Sequence, residues 1–292
     1  WYQRRVRGRM FAVAFQNYLT SQTLDVIKNT PGLKWTPGMP ERFKGMTREQ
    51  IKAMFMPITR FANAEKVQYY GAPAAFDWKD EKPECLLVRD QASCGSCWAF
   101  SSVGPFSDAR CIKGMDTPRV QYSEQYMVSC DKGNMGCNGG WLNQDMQFLK
   151  KTGVPTDKCV SYKSGKNGQT GKCPTTCDDK SPMEPLIKST SFEDVCSGEE
   201  SIKAALTKGS IQTAFTVYSD FMYYESGIYH HTSGYVEGGH AVTIVGYGEE
   251  NGTKFWKVRN SWNTTWGEDG FFRIIRGKNE CGFEAECYLV MP

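Results

Sequence analysis

Histidine is the scarcest catalytic residue type in this sequence. There are three, His230, His231 and His240, so any chemistry needing an imidazole base falls in the C-terminal part of the chain. No cysteine precedes Cys85. No stretch approaches the ~18 consecutive apolar residues of a membrane span, and the apolar run at 11–15 is too short for a signal peptide. Neither sign of charge dominates: 35 Lys and Arg against 32 Asp and Glu leave +3, too little to mark a nucleic-acid binder. Polar, aromatic-poor composition is also missing, since 13% of residues are aromatic and eight are tryptophan, which argues against disorder. What is plentiful is cysteine. Twelve are too sparse for a mini-protein held by disulfides alone and too many for an ordinary enzyme of a reducing compartment. A folded secretory-pathway protein follows, and 292 residues make one large domain or two moderate ones plus a short appendage.

The charge total conceals a division. Residues 1–72 carry twelve Lys/Arg and four Asp/Glu, a net of +8, so the remainder, with 23 basic and 28 acidic residues, sums to −5. All the cysteines lie in that acidic remainder. Such a break marks a domain boundary. The leader is too apolar for a free tail: Trp1, Phe11, Phe15, Tyr18, Trp35, Phe43, Phe55 and Phe61 need covering, so it reads as a segment docked on the body. Residues 47–56 read as a short helix, capped by Thr47, with Ile51, Met54 and Phe55 on one face and Pro57 ending it. Arg4, Arg5, Arg7 and Arg9 read as a solvated end, and Trp1 in place of methionine as a processed or truncated start.

From Ala72 to about Pro182 the pattern is mainly helix and loop, with a helix over 143–153 that ends in Lys150, Lys151 and Gly153. From about Leu186 strands dominate: Ile211, Thr213, Phe215 and Val217 alternate, and the runs 241–245, 255–258 and 271–275 are β-branched and aromatic. An α-rich half followed by a β-rich half leaves a cleft where ligands bind.

Residues 91–100 are Gln-Ala-Ser-Cys-Gly-Ser-Cys-Trp-Ala-Phe. Cys94 and Cys97 could form a redox or zinc pair, although no second close pair completes a tetrahedral site. Alternatively, Cys97 is a nucleophile opening a buried helix whose N-terminal N–H groups stabilise a thiolate. A nucleophile needs a base and a group to orient it. His240, in Gly238-Gly239-His240-Ala241-Val242, enters a strand where glycines leave it accessible, and Asn260-Ser261-Trp262 offers an amide and a covering indole.

With these elements the chain resembles the papain family (C1 type) of cysteine proteases, in its cathepsin B-like branch and in proenzyme form. The resemblance is carried by Cys94-Gly95-Ser96-Cys97-Trp98, with His240 and Asn260 about 143 and 163 residues downstream. Cys137-Asn138-Gly139-Gly140, Tyr218-Ser219-Asp220-Phe221, Asn260-Ser261-Trp262-Asn263-Thr264-Thr265-Trp266-Gly267 and Cys281-Gly282-Phe283-Glu284-Ala285-Glu286 extend it. The leader resembles a short propeptide of that branch through Trp35-Thr36-Pro37-Gly38 and the helix after it. The resemblance implies an α+β, papain-like two-domain fold: an inhibitory propeptide over 1–72, a helical left domain over 73–182 carrying the nucleophile, and a β-barrel-like right domain over 183–292 carrying His and Asn. It implies Cys97 as a thiolate beside protonated His240, Asn260 orienting the ring, and Gln91 with the Cys97 backbone N–H as oxyanion hole. Gly139 and Gly140 would pair with extended substrate, Trp262 would shield the His–Asn contact and line the primed side, and Ala214, Ala241 and Glu286 would shape a P2 pocket that accepts Arg. No cofactor or metal is implied. Partners would be peptide substrates, the chain's own propeptide and cystatin-type inhibitors, acting on a monomer in a lysosome- or vacuole-type compartment or outside the cell.

By the same resemblance Cys85 pairs with Cys111, Cys94 with Cys137, Cys130 with Cys173 and Cys159 with Cys177, which removes the redox reading of Cys94. Of Cys196, Cys281 and Cys287 at most two can pair, with Cys196–Cys287 preferred. Two departures stand out. The stretch 159–177, where cathepsin B carries a histidine-bearing occluding loop, is short and lacks histidine, so an endopeptidase with little carboxydipeptidase activity is expected. His230 and His231 read instead as a surface turn. Gly104-Pro105 should kink or end the central helix after Val103. Asn251 and Asn263 begin glycosylation sequons. The rival reading is a non-catalytic binding or matrix protein on the same fold, against which the intact Cys97, His240, Asn260 and Gln91 weigh.

Overall fold

The computed structural model describes residues 16–58 and 65–292, so the early arginines and Trp1, Phe11, Phe15 and Phe61 lie outside the described residues. In the leader, α1 (Ser21–Lys28) is capped by Thr20, β1 (Trp35–Pro37) is a short strand, and α2 (Arg48–Lys52) opens on a reciprocal capping box between Thr47 and Gln50. The helix expected over 47–56 stops at Lys52. Pro57 biases Met56 towards extended backbone, and Met56 pairs as an antiparallel bridge with Gly239 of the body.

The body continues with β2 (Phe76–Asp77), α3 (Trp78–Glu81), α4 (Cys97–Ile112), α5 (Glu124–Cys130) and α6 (Leu142–Lys151). Then come β3 (Ser191–Asp194), α7 (Glu199–Leu206), β4 (Ile211–Tyr218), β5 (Tyr224–Tyr229), β6 (Val236–Glu250), β7 (Thr253–Arg259), β8 (Phe271–Ile275) and β9 (Cys287–Met291). The strands form one sheet in the order β1-β5-β8-β7-β6-β4-β9-β3, with β2 on β6. This sheet is open, not closed into the barrel-like form expected. The leader covers both ends instead: β1 pairs with β5 at one edge, and Lys66 bridges Asp194 of β3 at the other. Unpaired strand edges are thereby protected.

Helix α4 does not end at Val103 but runs through Pro105 to Ile112. Nearly every residue of it is buried, so packing on all sides outweighs the ~3 kcal/mol cost of an internal proline. Gly104 has a separate reason to be small, since a Cβ there would lie 2.8 Å from the Arg259 guanidinium that pairs with Asp108 of the same helix.

Two cores result. One belongs to the β-rich half and includes the leader side chains Leu19, Ile27, Trp35, Phe43, Ile51, Met54 and Phe55. The other gathers the helices around Trp98, Val103, Phe106, Met127 and Met146, and takes Ala214, Ala241, Tyr288 and Val290 from the sheet. Trp78 crosses the other way, into the β-rich core. Five disulfides join Cys85–Cys111, Cys94–Cys137, Cys130–Cys173, Cys159–Cys177 and Cys196–Cys287, leaving Cys97 and Cys281 as thiols.

Candidate active site

Cys97 is the first residue of α4, fully buried, with the backbone N–H of Ala241 pointing at its Sγ at 3.5 Å. His240 stands beside Ala241 near the start of β6, opposite Phe215 of β4. Its Nε2 lies 2.8 Å from Asn260 Oδ1, which also accepts the Ser261 N–H at 2.8 Å. A carbonyl oxygen only accepts, so Nε2 carries the ring proton and Nδ1 is left as the basic atom. Nδ1 has no hydrogen-bond partner among the described residues. Trp262 stacks on the imidazole at 4.9 Å between ring centroids and keeps water from the His–Asn bond.

Gln91 is buried below this pair. Its Oε1 accepts from Ser261 Oγ at 2.7 Å, which fixes the amide, and its Nε2 donates to the carbonyls of Cys94 and of the leader residue Met54, both at 2.9 Å. The leader continues across the site. Phe55 sets its ring edge-on to His240 at 5.6 Å and tilted against Trp262 at 6.0 Å. Met56 and Gly239 exchange two backbone bonds of 2.9 and 2.7 Å, as neighbouring antiparallel strands do. Gly139 has φ +107°, and a Cβ on it would meet Pro57 Cδ at 2.7 Å and Met56 Cβ at 2.8 Å, so only glycine admits the passing chain.

Beyond Gly239 a pocket is lined by Gly140, Trp141, Leu142, Ala214, Phe215 and Glu286. Met56, Pro57 and Ile58 of the leader fill it, leaving about 20 Å³, room for about one water. Of the residues expected around it, Ala241 is not in its wall; it packs in the helical core and offers its N–H to Cys97. That backbone donor was not anticipated, because nothing in a side-chain pattern announces a main-chain group.

Burial also sets the charges. It pushes the Cys97 thiol up to about 12, against the opposing N–H groups of Ala241, Trp98 and Cys97 itself. It pulls His240 down to about 4, against the Asn260 bond, with Arg42 adding to the fall. Covering by the leader thus favours the neutral forms of both groups.

Other leader contacts are ionic. Arg42 makes a two-pronged pair with Asp90 at 2.6 and 3.1 Å and donates to the Trp262 carbonyl at 3.0 Å. Arg48 lies 3.5 Å from Glu237, and Lys66 lies 3.4 Å from Asp194. In each of these pairs the leader supplies the cation, so the charge division of the sequence becomes a contact. His230 is half-buried against the leader, not in a plain surface turn: its Nε2 accepts the Lys34 N–H at 3.2 Å. His231 stacks on Tyr218 at 3.7 Å and reaches Asp220.

The family model described as papain family cysteine protease matches residues 72–291. The chain belongs to the papain family of cysteine proteases. It is 48% identical over 280 residues to the cathepsin B-like CP2 of Giardia intestinalis, covering 92% of this chain and 93% of that relative. Cathepsin B-like cysteine proteinase 6 of Caenorhabditis elegans is 38% identical over 305 residues, covering 90% and 80%. Among solved structures, procathepsin B S9 from Trypanosoma congolense matches with a TM-score of 0.88 at 30% identity, covering 95% of this chain and 99% of that one. The papain-family match begins where the basic, cysteine-free leader ends. Within this cathepsin B-like branch, the buried cysteine, histidine and asparagine described above are the natural candidates for the chemistry.

Proposed function

We propose that this chain is the latent form of a cathepsin B-like cysteine endopeptidase, with residues 1 to about 72 as inhibitory propeptide. Residues 73–182 bring the nucleophile and 183–292 the histidine and asparagine. The observation that carries this reading is the Met54–Met56 segment. It gives a carbonyl to Gln91, a phenyl ring to His240 and a backbone pair to Gly239, all groups that a substrate would need. The leader runs from Trp262, under Phe43, towards the Glu286 pocket. A substrate whose P2 residue enters that pocket and whose leaving group lies by Trp262 runs the opposite way, so the leader presents no bond in cleavable register.

Once the leader departs, water reaches Cys97 and His240, and the burial that holds them neutral is relieved. Proton transfer from Sγ to Nδ1 then yields the thiolate–imidazolium pair. The thiolate attacks the scissile carbonyl carbon, and the oxyanion that forms is held by Gln91 Nε2 and the Cys97 N–H, a type of donor worth ~10²–10³-fold in rate. His240 gives its proton to the leaving amine, and water, activated by the same imidazole, hydrolyses the thioester. Asn260 holds the ring throughout. Gly139 and Gly140 carry the extended substrate, and Ala214 and Glu286 accept a P2 side chain, Arg included.

Acid is the trigger this arrangement supports, because burial beneath the leader holds His240 down to about 4, so charging that imidazole favours release. An acidic lysosome- or vacuole-type compartment, or secretion, accords with that trigger and with the five disulfides. Asn251 and Asn263 are exposed, as glycosylation would require. Cleavage falls within 67–75, where Tyr70 is 83% exposed while Val67 and Tyr69 are tied to Asp194, Ser201 and Glu193. Cystatin-type proteins would compete for the emptied cleft of a monomer. The test is acid incubation followed by mass spectrometry with an epoxide inhibitor. Loss of about 70 residues together with labelling of Cys97 is expected, and an unlabelled Cys97 after leader loss would overturn the assignment.

A further inference from the structure

Behind the nucleophile lies a carboxyl group that the mechanism above does not use. Asp145, on α6, is fully buried, and the groups acting on it include no cation among the described residues. Its Oδ2 accepts from Gln212 Nε2 at 2.8 Å, while its Oδ1 has no partner. Gln212, on β4, is equally buried, and its Oε1 also has no partner. The identity of the two amide atoms is fixed by chemistry. Gln212 Nε2 lies 3.3 Å from the Trp98 carbonyl, which only accepts, so the NH₂ must face that way. Two side chains already joined by one hydrogen bond thus each hold a buried, unpaired acceptor oxygen, whose lost hydration nothing offsets.

One proton resolves both. We infer that Asp145 is a carboxylic acid whose Oδ1–H donates to Gln212 Oε1, closing a cyclic acid–amide pair that positions Gln212 under the nucleophile helix. No bond is made or broken beyond this hydrogen bond, and the proton is the one an ordinary carboxyl loses above its usual range. Through Nε2 the pair reaches the Trp98 carbonyl and Ser101 Oγ at 3.0 Å, in the first turns of α4, directly after Cys97. Through β4 it lies two residues from Ala214 of the pocket. It therefore ties α6, α4 and the pocket strand together.

The surroundings agree. The titratable groups facing Asp145 are Asp131 at the end of α5, Glu286 before β9, Tyr288 on β9 and Cys97 on α4. None is a cation, and two are acids. Burial raises Asp145 well above the carboxylate range, the Gln212 bond opposing and Asp131 and Glu286 adding. A charged Asp145 would also push the Cys97 thiol further up. A neutral one spares the thiolate a second buried negative charge and keeps a like charge away from Glu286, which lines the pocket where a cationic P2 group would enter. That last consequence rests on the peptidase reading, whereas the protonation itself does not.

Two measurements on the uncleaved chain, made in a Cys97→Ser background, test the proton without any activity. Infrared spectroscopy at neutral pH is expected to show the carbonyl stretch of a protonated carboxylic acid, lost in Asp145→Asn. A carboxyl held protonated only in the fold destabilises as pH rises above about 4, by up to about tenfold in the folding constant per pH unit. Asp145→Asn should remove that fall. Absence of the band, its survival in Asp145→Asn, or parallel pH–stability curves would each overturn the inference. For positioning, the mature enzyme with Asp145→Leu should lose at least about tenfold in kcat/KM, and Asn should restore most of it. Equal activities for Leu and Asn would refute the positioning role while leaving the peptidase reading intact.

Discussion

Replacing Phe43 by alanine tests the proposed latency of this chain at a fully buried contact of the leader. Phe43 closes the short 3₁₀ turn Glu41–Phe43, is completely buried, and meets Trp262 edge-on at 5.3 Å. Trp262 in turn covers the imidazole of His240. Truncating a buried phenylalanine costs about 3–5 kcal/mol, part from lost transfer and part from the cavity left. The penalty applies only while the leader is docked, because in the undocked form residue 43 is in water whatever its identity. The substitution therefore acts almost wholly on the docking equilibrium, and at 1.4 kcal/mol per decade the undocked population should rise roughly 10²–10⁴-fold. An epoxide that alkylates Cys97 reports that population directly. At low reagent concentration the initial labelling rate of the uncleaved chain, read from its intact mass, is proportional to it. Phe43→Leu should fall between wild type and alanine. Lys44→Ala, at a neighbouring residue whose side chain is 51% exposed and paired with Glu41, should leave the rate near wild type. If Phe43→Ala labels within about threefold of wild type, or no faster than Lys44→Ala, the aromatic contact is not what closes the site.

Leader release should carry the signature of a histidine that is neutral when covered. His240 stands at about 4 beneath the leader because it is buried, against about 6.5 for a free imidazole. The docked form therefore binds fewer protons between those values, and docking weakens as pH falls through that window, by roughly 3 kcal/mol in all. His230, pulled down by burial and by nearby Lys34 while accepting the Lys34 N–H, adds to the same trend. In a Cys97→Ser background, His240→Asn should flatten the pH dependence of hydrogen exchange at the Met56 and Gly239 amides; identical slopes would refute the linkage. Raised salt should speed activation through the Arg42–Asp90, Arg48–Glu237 and Lys66–Asp194 pairs, and a salt-independent rate would remove them from the account. Glu286→Ala should abolish acceptance of Arg at P2 while sparing Phe, and an unchanged Arg-to-Phe ratio would remove Glu286 from the pocket. With no histidine in 159–177, the mature enzyme should release few dipeptides from free C-termini; efficient release would contradict that reading.

What could be read from the sequence divides along a physical line. Cys97, His240, Asn260 and Gln91 were legible because their chemistry admits few residue types, and the fold brings them together through α4, β6, the end of β7 and the loop before α4. The +8 leader and −5 body were legible as a boundary, and the contact realises them as ion pairs with Asp90, Glu237 and Asp194. Local patterning failed where a distant partner outweighed it. Residues 54–56 abandon a good helical face because Gly239 supplies strand bonds and Gln91 a donor. Pro105 stays helical because both sides of α4 are packed, and α7 hides in a half that reads as strand. The charge state of Cys97 and His240 under the leader was illegible for the same reason, since burial by distant residues sets it. The sequence motif belongs to the open site, where solvent permits a thiolate beside an imidazolium, whereas Phe43, Phe55 and Met56 strip that solvent away. On the proposed reading, the same four residues would serve two forms that differ in protonation. Acid that charges His240 would favour the open one, so on that reading the trigger for leader release and the proton inventory of catalysis meet in a single imidazole.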